Sequence, residues 1–172
     1  GGELGFESVA GEGPAFWFDA PCVPRSSVQT GEASLEEALG GDIDIVEGNH
    51  RVLYIEDNQA NRDLMGHVIG RFAGVSLQTA HSAEIGVALA EQTLPDVILM
   101  DVNLPGMDGF DALRCLRDNE RTKSIPVIAL SANAMPGEID RGLQAGFLGY
   151  LTKPFSIPGL VALLNKGLRQ ER

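Results

Sequence analysis

Four apolar residues in a row, Val97-Ile98-Leu99-Met100, run straight into a carboxylate, Asp101, and the chain then breaks at Pro105-Gly106. So short an apolar run between turn signals suits a strand buried on both faces, as in a parallel sheet, with Asp101 at its carboxyl end. Open α/β sheets place their ligands along that edge. Asp101 is therefore read as the chemical centre of the chain.

From Arg51 onward, short apolar runs alternate with helical stretches. Val52 to Ile55 predicts a first strand, and Asn58 caps a helix on which Leu64, Met65, Val68, Ile69 and Phe72 recur at helical spacing until Gly74. A second strand spans Val75 to Ala80, followed by a Ser82-capped helix with Ile85, Ala88 and Leu89 inward that closes near Pro95. After the Asp101 strand come a helix over Phe110 to Arg117, a fourth strand at Val127 to Leu130 and a helix over Gly137 to Ala145. A fifth strand at Tyr150 to Thr152 and a last helix from Ser156 complete the pattern. Five β/α repeats predict an α/β fold: a doubly wound, flavodoxin-like parallel sheet of five strands in the order 2-1-3-4-5, with helices on both faces.

Right-handed crossovers deliver the carboxyl end of every strand to one edge. The residues arriving there are Glu56 and Asp57 after the first strand, Asp101 after the third, Ser131 after the fourth and Lys153 after the fifth. With strands one and three adjacent, three carboxylates meet, and they repel one another unless a cation sits among them. Three carboxylates and one ammonium sum to about −2, which one hard divalent ion such as Mg²⁺ neutralises. Such a site suits a phosphoryl group. A carboxylate can attack phosphorus while the metal and Lys153 hold the equatorial oxygens and the Ser131 hydroxyl donates to one of them.

Glu56-Asp57, the run Met100-Asp101-Val102-Asn103-Leu104-Pro105-Gly106-Met107-Asp108-Gly109, Ser131-Ala132 and Tyr150-Leu151-Thr152-Lys153-Pro154-Phe155 together resemble the receiver domain of two-component response regulators. The resemblance covers residues 51–172. It implies that Asp101 accepts a phosphoryl group from a phosphohistidine, and that Asp57 and Asp101 bind Mg²⁺ directly while Glu56 does so through water. Asn103 would supply a backbone carbonyl, Ser131 and Lys153 would contact phosphoryl oxygens, and Tyr150 would be the switch aromatic. Asn103 and Asn133 occupy the positions that tune hydrolysis in the family, and the Lys153-Pro154 bond is often cis there. The implied partner is a histidine kinase or a histidine phosphotransfer protein. Glu56 in place of the commoner Asp, and Ser131 where Thr is as frequent, are mild departures.

Rival readings meet specific obstacles. An aspartyl-nucleophile phosphohydrolase would carry its acid-base Asp two residues after the nucleophile, where this chain has Asn103. A degenerate receiver acting as a pure binding module predicts losses among the site residues, and none is missing. A free-standing single-domain response regulator is the alternative that stays open. Only the amino-terminal segment argues against it.

That segment is distinct in charge. The chain's net charge is −11, yet residues 1–50 hold ten acids and a single base, Arg25, while residues 51–172 hold fourteen acids and twelve bases. The acidity lies outside the part that reads as folded, and it argues against nucleic acid or an anionic membrane as partner. Glu3 to Val9 and Ala15 to Ala20 flank Ala10-Gly11-Glu12-Gly13 and predict a β-hairpin. Gly1-Gly2-Glu3-Leu4-Gly5-Phe6-Glu7-Ser8 and Gly11-Glu12-Gly13-Pro14-Ala15-Phe16-Trp17-Phe18 resemble the last two strands of the ATP-binding domain of sensor histidine kinases. Residues 1–20 are thus expected to be the end of such a domain in a hybrid kinase. Its asparagine box and glycine-rich lid would precede Gly1, so ATP binding is not expected. Residues 21–50, with Pro21, Pro24, Gly31 and Gly40-Gly41, read as an acidic flexible linker, because the capping-box start Ser34-Leu35-Glu36-Glu37 reaches only Leu39 before the glycines.

The first residue is Gly, and no basic start precedes an apolar stretch, so a fragment without a signal peptide is expected. No apolar run approaches the roughly 20 residues that span a bilayer. Cys22 and Cys115 have no metal spacing, which suits a reduced, cytoplasmic setting. His50, His67 and His81 read as surface or satisfied side chains.

Overall fold

The computed structural model describes residues 3–9, 13–19, 45, 47–132 and 135–169. They fall into two units, the first within residues 1–40 and the second within 41–172. In the first unit β1 (Glu3–Val9) pairs antiparallel with β2 (Gly13–Asp19), setting Phe6 across from Phe16 and Gly5 across from Trp17. The hairpin expected from the sequence is present. Most of the expected linker, including Cys22, lies outside the described residues.

The second unit alternates strand and helix throughout: β3 (His50–Ile55), α1 (Gln59–Ile69), β4 (Val75–Ala80), α2 (Ala83–Thr93), β5 (Val97–Asp101), α3 (Gly109–Asp118), β6 (Val127–Ser131), α4 (Pro136–Ala145), β7 (Gly149–Thr152) and α5 (Ile157–Leu168). The five strands are parallel in the order β4-β3-β5-β6-β7, which is the 2-1-3-4-5 order expected. Every residue of β5 and β6 is buried, as strands covered on both faces require.

Strand periodicity sorts their side chains between two cores. Leu53, Ile55, Ile98, Met100 and Ala129 pack with Ala83, Ala90, Leu113 and Leu116 from α2 and α3. Val52, Tyr54, Leu99, Ile128 and Leu130 pack with Met65, Ile69, Leu160 and Leu164 from α1 and α5. Asn58, Ser82, Asp108 and Ser156 each accept a hydrogen bond from the backbone N–H three residues on, so four of the five helices among the described residues start on a side-chain cap.

Two helical faces differ from the sequence reading. On α1 Leu64 is 63% exposed, and the helix stops at Ile69, so Phe72 packs from the turn beyond it. On α2 Ile85 is 39% exposed and Ala88 faces solvent, while Ala83, Gly86 and Ala90 are buried. Close approach is the reason. A Cβ added at Gly86 would sit 2.3 Å from Ile55 Cδ1, so the helix lies against β3 through its smallest residues. Of the residues expected inward only Leu89 packs against the first core, so spacing that weights large apolar residues sets the buried face off by part of a turn.

The second unit also begins earlier than the linker reading implied. Ile45 is buried in the core beside Val52 and Tyr54, and His50 already belongs to β3. A chain starting at Gly41 is expected to melt at the temperature of the full chain. One starting at Arg51 loses the Ile45 contacts and should be less stable by about 2 kcal/mol. Thermal scans of the two truncations check this.

Candidate functional site

Glu56 and Asp57 leave β3 just before Asn58 turns the chain into α1. Asp101 ends the neighbouring strand β5. One carboxylate oxygen from each of Glu56, Asp57 and Asp101 can be chosen so that all lie within 4.8 Å of one another. The structure therefore gathers the three acids that the strand order predicted. Glu56 and Asp101 are buried, and Asp57 is exposed at the rim.

Lys153 follows β7, two strands away from β5, and its stem reaches back across the sheet edge. Its Nζ donates to Glu56 Oε2 at 2.5 Å and to Asp101 Oδ2 at 2.6 Å. The other Asp101 oxygen, Oδ1, accepts from the Asn103 N–H at 2.8 Å. Burial pulls the Lys153 ammonium down, but the hydrogen bonds it donates to Asp101 and Glu56 and the charges of those carboxylates outweigh it, so the ammonium titrates above its ordinary range.

Glu56 is a mirror case: burial pushes its carboxyl up, yet the donors Lys153, Tyr54 and Asn61 and the Lys153 charge hold it below the usual carboxylate range. Both groups are charged at neutral pH. With Asp57 and Asp101 counted as carboxylates, the site carries a net charge of about −2. The donor set is all hard oxygen, with neither imidazole nor thiolate, which fits Mg²⁺ or a similar hard divalent ion.

Ser131, buried at the end of β6, shares a pocket of about 410 Å³ with Val102, Asn103, Asp108, Phe110 and Tyr150. The Tyr150 ring is partly buried against the first core. Gly142 of α4 makes room for it, since a Cβ there would lie 2.8 Å from Tyr150 Cε2. Lys153-Pro154 is a cis bond. Ser131, Asn103 and Tyr150 thus border one cavity beside the acids, and Asn133 lies outside the described residues. Among the described residues the histidines join no group able to hold a metal. Cys115 is a free, exposed residue of α3.

Three side chains around the acids escaped the sequence reading. The buried Tyr54 hydroxyl donates to Glu56 Oε2 at 2.7 Å. Asn61 Nδ2 donates to Glu56 Oε1 at 2.9 Å. Arg62 Nη1 donates to the carbonyl oxygens of Glu56 at 2.5 Å and Asp57 at 2.8 Å, clamping the acidic pair from the first turns of α1. Tyr54 was findable: it stands two residues before Glu56 on one face of a strand, and a buried phenol seeks a partner.

Comparison with known proteins bears on the same stretch. A family model described as the response regulator receiver domain matches residues 52–165. The polar-differentiation response regulator DivK of Brucella ovis is 35% identical over 117 residues, spanning 68% of this chain and 94% of the relative. The receiver domain of a sensor histidine kinase from Pseudomonas aeruginosa PAO1, solved with a magnesium ion coordinated in its active site cleft, is similar with a TM-score of 0.65 and 34% identity. That similarity covers 72% of this chain and 100% of the other. The receiver domain of the Francisella response regulator 1452 aligns with a TM-score of 0.65 and 30% identity, over 70% of this chain and 98% of its own.

Proposed function

The chain belongs to the response regulator receiver domain family, whose work is phosphorelay signalling, and on that premise we propose that Asp101 is its phosphoacceptor. The observation that carries the assignment is Lys153 Nζ held at 2.6 Å from Asp101 Oδ2 beside two further carboxylates. In the transfer an Asp101 carboxylate oxygen forms a bond to phosphorus as the bond from phosphorus to the donor imidazole nitrogen breaks, its electron pair staying on the ring.

Receiver domains take their phosphoryl group from histidine kinases or phosphotransfer proteins, and one of these is the proposed donor here. Asp57 and Asp101 would hold Mg²⁺ directly, Glu56 through water, and the Asn103 carbonyl would complete the protein ligands. Bound there, the ion offsets the charge gathering on the phosphoryl oxygens. Lys153 and the Ser131 hydroxyl would donate to those oxygens. The amides of Asn103 and Asn133 would hold the water that later hydrolyses the acyl phosphate. In this reading residues 51–172 form the receiver, joined at its start by Ile45 and His50, the rest of 21–50 is the linker and 1–20 the end of a kinase ATP-binding domain, with the protein working in the cytoplasm. Among the described residues no helix is long and apolar enough to cross a membrane.

Incubation with acetyl phosphate tests the proposal. One phosphate should appear by intact mass with Mg²⁺ present, disappear on hydroxylamine treatment as an acyl phosphate does, and fail to form with chelator. A hydroxylamine-stable adduct would move the phosphate to a hydroxyl.

Tyr150 is proposed to read the modified state. Drawing the Ser131 hydroxyl toward a phosphoryl oxygen frees the part of the shared pocket into which the Tyr150 ring can turn. Tyr150→Ala should leave uptake within about twofold of the parent. It should also flatten the difference in amide exchange between the two states across α4, β7 and α5. An undiminished difference would remove Tyr150 from the role.

A further inference from the structure

Glu56 is the most heavily bonded side chain at the sheet edge. Its Oε2 accepts from the Tyr54 hydroxyl at 2.7 Å and from Lys153 Nζ at 2.5 Å, while Oε1 accepts from Asn61 Nδ2 at 2.9 Å and from the Asn58 N–H at 3.4 Å. A carboxylate offers about four acceptor positions, so this one is filled from four directions. The four donors come from three parts of the fold. Asn58 and Asn61 belong to the start of α1, Lys153 to the loop after β7, and Tyr54 to the core beneath the site. Tyr54 is 1% exposed, one residue before the end of β3 and packed among Val52, Leu99 and Leu130.

A phenol so enclosed cannot turn to water. Were the Glu56 carboxylate to swing away, the hydroxyl would be left a buried donor without its acceptor, which opposes that movement. Glutamate rather than aspartate matters here because the extra methylene carries the carboxylate out to where Tyr54 and Lys153 both reach it. Lys153 in turn has Asp101 as its second partner.

We propose that Tyr54 is a positioning residue for phosphoryl uptake: its buried hydroxyl fixes the Glu56 carboxylate, which fixes the Lys153 ammonium over Asp101. The inference rests on Asp101 being the phosphoacceptor and adds the element that aims its cation. Four groups, Tyr54, Glu56, Lys153 and Asp101, form one hydrogen-bonded chain that runs from the core to the site. Tyr54 touches neither substrate nor metal and acts through Glu56, so its main effect is on the placement of Lys153, with a lesser one on the ion that Glu56 would hold through water.

Tyr54→Phe deletes one oxygen and keeps the ring, so the core stays filled. The uptake rate constant at saturating acetyl phosphate and Mg²⁺ should fall about tenfold, as expected when a reacting-site cation loses its fixed position. The Mg²⁺ concentration giving half the thermal stabilisation should move far less than the rate, because the direct ligands Asp57 and Asp101 are untouched and Glu56 would act only through water. Glu56→Asp, too short to reach the phenol, should show a similar rate loss by itself. In the doubly substituted chain the two losses should not multiply, since the interaction is already gone. Such non-additivity is not expected of a mere packing role.

A Tyr54→Phe chain that takes up phosphate at the parent rate would overturn the inference. So would a double variant showing the full product of the two losses. If Tyr54→Phe does not fold, an unchanged rate in Glu56→Asp overturns it instead. Persistent labelling of Asp101→Asn, by contrast, would overturn the phosphoacceptor assignment itself, so the two failures are separable.

Discussion

Asp101→Asn is expected to take up no phosphate from acetyl phosphate, while melting at or slightly above the parent temperature when Mg²⁺ is absent. The amide has nearly the shape of the carboxylate. Its carbonyl oxygen can still accept from the Asn103 N–H, which in the parent reaches Asp101 Oδ1 at 2.8 Å. What disappears is the nucleophile and one negative charge. Lys153 keeps Glu56 at 2.5 Å, so its ammonium is not stranded. Three carboxylates gathered within 4.8 Å, offset by one ammonium, become two, and the repulsion among them falls.

Mg²⁺ should reverse the ranking. A ligand at a hundredfold excess over its dissociation constant stabilises the folded state by about 2.7 kcal/mol. That is roughly 10 °C for a domain of this size. With one direct carboxylate gone the variant should show only a small part of that rise. Intact mass spectrometry and paired thermal scans with and without Mg²⁺ read both effects. Labelling at the parent level, or an undiminished Mg²⁺ response, would remove Asp101 from its assigned roles.

The parts of this site that were legible in the sequence are those that a parallel sheet places by its backbone alone. Glu56, Asp57, Asp101, Ser131 and Lys153 each sit at a strand end, and the strand order 2-1-3-4-5 decides which ends are neighbours. Nothing about side-chain packing is needed to bring Asp57 and Asp101 together. Tyr54, Asn61 and Arg62 belong to a different class. Their parts depend on rotamers and on how α1 lies beside β3, and spacing along the chain is silent on both. Arg62 in particular serves through bonds to backbone carbonyls, which leave no trace in residue type.

The same distinction explains the misjudged face of α2. Hydrophobic spacing put Ile85, Ala88 and Leu89 inward, and of these only Leu89 packs on the core, because spacing assumes a helix standing a full side chain away from the sheet. The helix stands closer, with Gly86 over Ile55, and the buried stripe is Ala83, Gly86 and Ala90. A sequence signal existed in that run of small residues, but periodicity weights it least. Asp108-Gly109 also carries more than its residue types suggest. As a dipeptide it reads as turn and cap, and Asp108 does cap α3. Gly109 does something that the cap reading misses.

Gly109→Ala should destabilise the domain and impair phosphoryl uptake together, because this glycine is where α3 leans on the phosphoacceptor's own backbone. A Cβ there would lie 2.7 Å from the Asp101 carbonyl oxygen and 2.8 Å from Val102 Cα. Both are main-chain atoms, so no rotamer change relieves the clash. The Gly109 N–H also donates to the Val102 carbonyl at 3.0 Å, stapling the start of α3 to the end of β5. The added methyl must therefore either lift α3, with Ala112, Leu113 and Leu116 on its buried face, or shift Asp101 and Val102.

Overpacking of this kind costs about 1–3 kcal/mol. Alanine's better helix propensity returns at most about 1 kcal/mol, and less at the first position of a helix than in its interior. The clash wins, and a fall of several degrees in melting temperature is expected. A displacement near 1 Å at Asp101 would slow uptake about a hundredfold. Gly66→Ala supplies the opposite sign as a control. Gly66 lies inside α1 with nothing within 4 Å of its added Cβ, so stability there should rise by about 1 kcal/mol, with uptake unchanged. If Gly109→Ala melted and reacted like the parent, α3 would have room to move without carrying Asp101 with it, and the coupling between helix and site drawn from these contacts would be wrong.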